Sequence, residues 1–76
     1  MTLDKSPYGA QARVVSIAGE GAVAQRLMQM GVLPGVSISV VKSAPLGDPI
    51  QVRVRDDHLA LRRLEAQTIT VSIDND

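Results

Sequence analysis

Cysteine is absent from the 76-residue chain, and disulfides, thiolate nucleophiles and zinc-thiolate sites are absent with it. Phenylalanine and tryptophan are missing too, and Tyr8 is the one tyrosine, so single-stranded nucleic acid would find one phenol ring to stack on. Neither sign of charge prevails. Eight Lys plus Arg face eight Asp plus Glu, which leaves no net field to attract a polyanion. Nucleic acid is therefore not an expected partner. No run approaches the roughly 18 uninterrupted apolar residues that a membrane helix requires, so no direct membrane insertion is expected. Met1 to Gly9 places Asp4, Lys5 and Pro7 where a secretory signal needs an apolar stretch. These absences fit a protein retained in a reducing, cytoplasmic compartment.

What remains is 45% apolar and drawn almost wholly from Val, Ile, Leu, Ala and Met. A chain this short builds one core and cannot divide it. Ala12 to Ile17 is rich in β-branched residues and stops at Gly19-Glu20-Gly21, which reads as a first strand. From Ala22 to Met30, Val23, Leu27 and Met30 recur at helical spacing, with Ala24 and Met28 widening the stripe. The expectation is a helix that plugs the core with Val23, Leu27 and Met30. Met28, at the margin, suits an exposed soft anchor as well as a gap filler. Gly31 is placed for a C-cap and Pro34-Gly35 for a turn.

Val36, Ile38 and Val40 then alternate with Ser37 and Ser39, predicting a strand to about Lys42. Pro45 and Pro49 stiffen the loop from Ala44 to Pro49. Ile50, Val52 and Val54 alternate again, Asp56-Asp57 offers a turn, and Leu59 and Leu61 resume the pattern. Arg62 to Ala66 predicts one helical turn before a last strand over Thr68 to Ile73. Too few residues remain for parallel crossovers, so the sheet should be antiparallel. The fold expected is mainly β: a small five-stranded antiparallel SH3-like barrel. It has one short α-helix after strand 1 and a helical turn before the last strand. The domain is expected over residues 9–73, with residues 1–8 and 74–76 as loose ends.

Several motifs, in order and at fitting spacings, carry a resemblance to a known family. Arg26-Leu27 with Met30-Gly31-Val32-Leu33-Pro34-Gly35 is similar to the helix end and Leu-Gly-Leu-x-Pro-Gly turn of the FeoA family, with Met30 and Val32 in place of leucines. Ala44-Pro45-Leu46-Gly47-Asp48-Pro49-Ile50 resembles its most distinctive segment. Leu59-Ala60-Leu61-Arg62-Arg63, Glu65-Ala66 and Ile69-Thr70-Val71 resemble its C-terminal signature. Asp56-Asp57 stands where that family usually has a glycine. The resemblance implies a non-enzymatic accessory or regulator of ferrous iron uptake that binds the cytoplasmic region of the FeoB-type transporter. The same module ends iron-dependent repressors of the DtxR type, so a freestanding regulatory domain is the alternative, with a weak metal-binding chaperone as a further one.

Among candidate contact residues, Pro45, Leu46, Gly47, Asp48 and Pro49 come first, because a stiff loop presenting a leucine loses little entropy on binding. Simple turn chemistry accounts for the same residues equally well. Arg62 and Arg63 come second, although Glu65 and Asp57 could balance them. Arg53 and Arg55 share a strand face with Gln51 and could bind an acidic patch or phosphate; a solvated outer face looks the same. His58 is the only histidine and lacks the partners of a structural metal site, so no metal ligands and no cofactors are assigned. Hydroxyls without a second base, and no glycine-rich phosphate loop, argue against catalysis. Homo-oligomerisation is left open by the sequence.

Overall fold

A computed structural model describes residues 1–19 and 21–73 of the chain. Along it run a 3-10 turn (Leu3–Lys5), β1 (Ala12–Ile17), α1 (Ala22–Gln29), β2 (Ser37–Ser43), β3 (Ile50–Val54), β4 (Asp57–Leu61), α2 (Arg63–Ala66) and β5 (Ile69–Ile73). The strands form one sheet in the order β4-β3-β2-β1-β5, with every neighbouring pair antiparallel. This is the mainly β, five-stranded arrangement the alternation predicts. Register shifts between Val14 and Ser16 and between Val40 and Lys42 mark irregularities that bend β1 and β2 and let so short a sheet curl.

The period of two sets the core. Ile38 and Val40 of β2, Ile50, Val52 and Val54 of β3, Leu61 of β4 and Ile69 and Val71 of β5 are all buried. Each such side chain contributes about 1.5–3 kcal/mol of transfer free energy. Helix α1 closes the core with Leu27 and Ala24, while Val23 is 46% exposed and Met30 only packs against the rim. The expected plug is therefore corrected: residues turn about 100° each around a helix, and the inward direction falls between positions 24 and 27, which leaves Val23 at the edge. Gly31, at φ 96°, ends the helix. Its N–H meets the Met28 carbonyl and the Val32 N–H meets that of Leu27, each at 3.0 Å. This paired closure needs a left-handed residue at position 31 and carries the buried Val32 back onto Leu27.

Two further expectations change. The turn between β3 and β4 is Arg55-Asp56, since Val54 pairs with Asp57 and Asp57 already belongs to β4. Residues 1–8 are not loose. Leu3 is fully buried, Thr2 bridges Thr70 beyond β5, and the Val71 N–H donates to the Met1 carbonyl at 2.8 Å. The Tyr8 hydroxyl reaches Ser43 Oγ at 2.8 Å. A lone apolar residue sealing the core beside β5 makes the start of the chain part of the barrel. Residues 74–76, the other expected loose end, lie outside the described residues.

Candidate partner-binding surface

Ser43 and Ile50 face each other across the β2–β3 ladder, and the six residues between them form the loop. The Gly47 N–H donates to the Ala44 carbonyl at 2.7 Å, closing a β-turn with Pro45 and Leu46 at its centre. Gly47 takes φ 85°, and the Asp48–Pro49 peptide is cis. The Ala44 N–H then donates to the Pro49 carbonyl at 3.0 Å. With its polar backbone turned inward, the loop projects Leu46, which is 96% exposed.

The other half of the surface comes from α2. Arg63 donates from Nε and Nη2 to the Gly47 carbonyl at 3.0 and 2.8 Å, and from its backbone N–H to Asp48 Oδ1 at 2.9 Å. The planar guanidinium acts as a two-pronged donor. Arg63 thus fastens the loop to the helical turn, and two of its guanidinium donors are taken up within the protein. Arg62 stays exposed and lines, with Asp48 and Pro49, an open depression of ≈ 290 Å³. A second depression of ≈ 270 Å³ runs along the other side of the loop between Lys42, Pro45, Pro49 and Gln51.

Glu65 supports this arrangement. Its buried carboxylate accepts the Arg62 backbone N–H at 2.9 Å through Oε1, capping the first turn of α2, and pairs through Oε2 with Arg26 of α1. Among the described residues Glu65 therefore pairs with Arg26 and not with the guanidinium of Arg62 or Arg63. That role was not read from the sequence, where Arg26 and Glu65 are 39 positions apart. Leu64 was also missed. It is 74% exposed and follows Arg63 directly, so α2 offers a second bare leucine beside the loop. The structure brings the predicted loop and both predicted arginines to one end of the β2–β3 hairpin.

Arg53 lies at the far end of the hairpin, paired across the strands with Ser39 and His58. His58 is exposed on β4. Among the described residues, no group of three or more His, Cys, Asp or Glu is placed to hold a metal ion, and no helix is long and apolar enough to cross a membrane.

Comparison with known proteins gives this geometry a context. A family model of the FeoA domain matches residues 1–73. The Fe(2+) transport protein A/Fe(2+) transporter FeoB fusion protein of Porphyromonas gingivalis is 38% identical over 73 residues, covering 96% of this chain. The chain spans only 9% of the length of that fusion protein. The solution structure of a FeoA protein from Chlorobium tepidum is 45% identical, with a TM-score of 0.89 over 96% of this chain and 70% of that one. A zinc complex of FeoA from Stenotrophomonas maltophilia, described as a prokaryotic SH3 domain protein, is 33% identical, with a TM-score of 0.82 over 95% and 89% of the two chains. The barrel is SH3-like. The likeness extends to IdeR of T. acidophilum, at 21% identity and a TM-score of 0.84 over 97% of this chain and 34% of that one, which speaks to the fold alone.

Proposed function

The chain belongs to the FeoA domain family, and from that premise we propose that it is a non-enzymatic cytoplasmic accessory protein of ferrous iron uptake. In this reading it binds the cytoplasmic region of a FeoB-type transporter and neither carries nor oxidises iron itself. The observation that carries the proposal is the Porphyromonas gingivalis fusion, in which a domain like this one and the transporter share a polypeptide. Fusion holds two modules at a high effective concentration, an arrangement that suits partners which bind one another. The likeness to T. acidophilum IdeR is one of architecture, so it gives the repressor-like alternative no comparable support.

The contact surface in this proposal is the Pro45–Pro49 loop with Arg62, fastened by Arg63. Leu46 and Leu64 supply apolar anchors, and the closed loop loses little further entropy on docking. The test is capture of the full chain on the immobilised cytoplasmic region of the transporter, comparing wild type with Leu46→Asp. Leu46 packs against almost nothing, so the variant should fold, and its circular dichroism and melting temperature verify this. The expected result is wild-type capture and at least roughly tenfold weaker capture of the variant, as for a hot-spot residue. Equal capture rejects the loop as the contact. No capture of either protein rejects the accessory reading itself.

A further inference from the structure

The outward face of the hairpin carries a polar cleft, well separated from the proline loop. Ser37 and Ser39 of β2, Arg53 of β3, Arg55 of the following turn and Gln11 before β1 line a hollow of ≈ 130 Å³. The strands place them there by alternation, since Ile38, Val40, Val52 and Val54 point inward between them. Among the described residues the lining contains two guanidinium groups, two hydroxyls and an amide, and no carboxylate.

The way the two arginines are held is the second observation. Arg55 has φ 56°, the one positive φ outside glycine among the described residues, at a turn position that glycine, asparagine or aspartate occupies with less strain. Its guanidinium makes no hydrogen bond or ion pair within the described fold, so no polar contact among the described residues uses its charge. Arg53 Nε donates to the Arg55 carbonyl at 3.0 Å, which steadies its side chain across the turn. Among the described residues its carboxylate partner is Asp56, 3.4 Å away and 98% exposed. A strained, unspent arginine beside a braced one, over a floor of serine hydroxyls without side-chain partners among the described residues, is a site with donors to spare, its one nearby described carboxylate, Asp56, turned out to solvent.

We propose that this cleft binds a phosphate group, with Arg55 and Arg53 as the charged donors and Ser37, Ser39 and Gln11 as the neutral ones. Guanidinium forks match the oxygens of a tetrahedral oxyanion, and charge-assisted hydrogen bonds supply the larger share of the binding. The hollow is large enough for a phosphate and too small and shallow to enclose a whole nucleotide, so any ester would leave its organic part in solvent. This inference stands apart from the transporter contact and does not depend on it.

The test is a titration of the isotopically labelled full chain with inorganic phosphate at constant ionic strength, followed by amide and guanidinium NMR shifts. The comparison is Arg55→Gly, which removes the guanidinium and places at φ 56° the residue that tolerates it best. Saturable shifts are expected at Gln11, Ser37, Ser39, Arg53 and Arg55, with affinity falling about tenfold or more in the variant. Acetate should bind more weakly than phosphate. Unchanged affinity in Arg55→Gly overturns the site, as do shifts that never saturate or that spread over every Arg and Lys. Acetate binding as tightly as phosphate overturns the ligand class and marks the cleft as a reader of carboxylate side chains.

Discussion

Glu65 joins two segments that the strand alternation does not connect, and one carboxylate does so with both oxygens. Oε1 takes the Arg62 N–H at the start of α2, and Oε2 takes the guanidinium of Arg26 from α1. The two interactions differ in worth. Arg26 is 56% exposed, so water competes for its charge, whereas the Arg62 N–H is one of the unsatisfied donors of a helix start. The cap should therefore dominate. Glu65→Ala should cost about 1–2 kcal/mol. Glu65→Gln, which keeps an acceptor for the N–H but gives up the charge, should cost about half as much. Urea unfolding of the three proteins measures both, and a Gln variant as damaged as the Ala variant would assign the stability to the ion pair instead. The same residue shows a limit of sequence reading. Glu65 was legible as a member of a helical turn, but its carboxylate acts on a partner 39 residues away, and neither periodicity nor spacing encodes such a contact.

Among the elements, the five strands were legible because alternating Val and Ile against Ser, Gln and Arg has the period of a half-buried strand. Boundaries moved by about one residue: β2 begins at Ser37 instead of Val36, and β5 at Ile69 instead of Thr68. The turn after β3 moved for a physical reason, since it needs a positive φ at Arg55 and arginine carries no signal of that. The proline loop was legible from its prolines, but its attachment was not, because Arg63 grips a backbone carbonyl and any residue could have supplied one. The start of the chain was the plainest miss. Leu3 stands alone among Thr2, Asp4 and Lys5, and one apolar residue has no period to read. Its full burial makes the 3-10 turn part of the core. Leu3→Ala should therefore cost about 2–4 kcal/mol, which for a domain of this size lowers the melting temperature by roughly 8 °C or more. A loss below about 0.5 kcal/mol, the level of an ordinary surface change, would return residues 1–8 to the status of a loose end.

At the scale of the whole molecule, the β2–β3 hairpin carries a proposed surface at each end. Leu46 and Arg62 sit beyond the Ser43–Ile50 pair, and the cleft lies around the Ser39–Arg53 pair and the turn after it. Ser43 lies four positions along the strand from Ser39, roughly 13 Å at the usual rise, and Arg55 lies farther on. Substitutions that far apart, with no shared partner, ordinarily act independently. With a formal net charge of zero, the chain also has no overall field through which one end could influence the other at distance. Arg55→Gly should therefore leave transporter capture within about twofold of wild type, and Leu46→Asp should leave phosphate affinity within the same margin, each well under 1 kcal/mol. The double variant should show both defects at their single-variant sizes. Measuring capture with and without saturating phosphate closes the cycle: an effect of phosphate on capture larger than about fivefold would mean that the hairpin transmits between its ends, because coupling free energies of that size require it. The bends in β1 and β2 at the register shifts would then be the first places to look for two arrangements of the sheet.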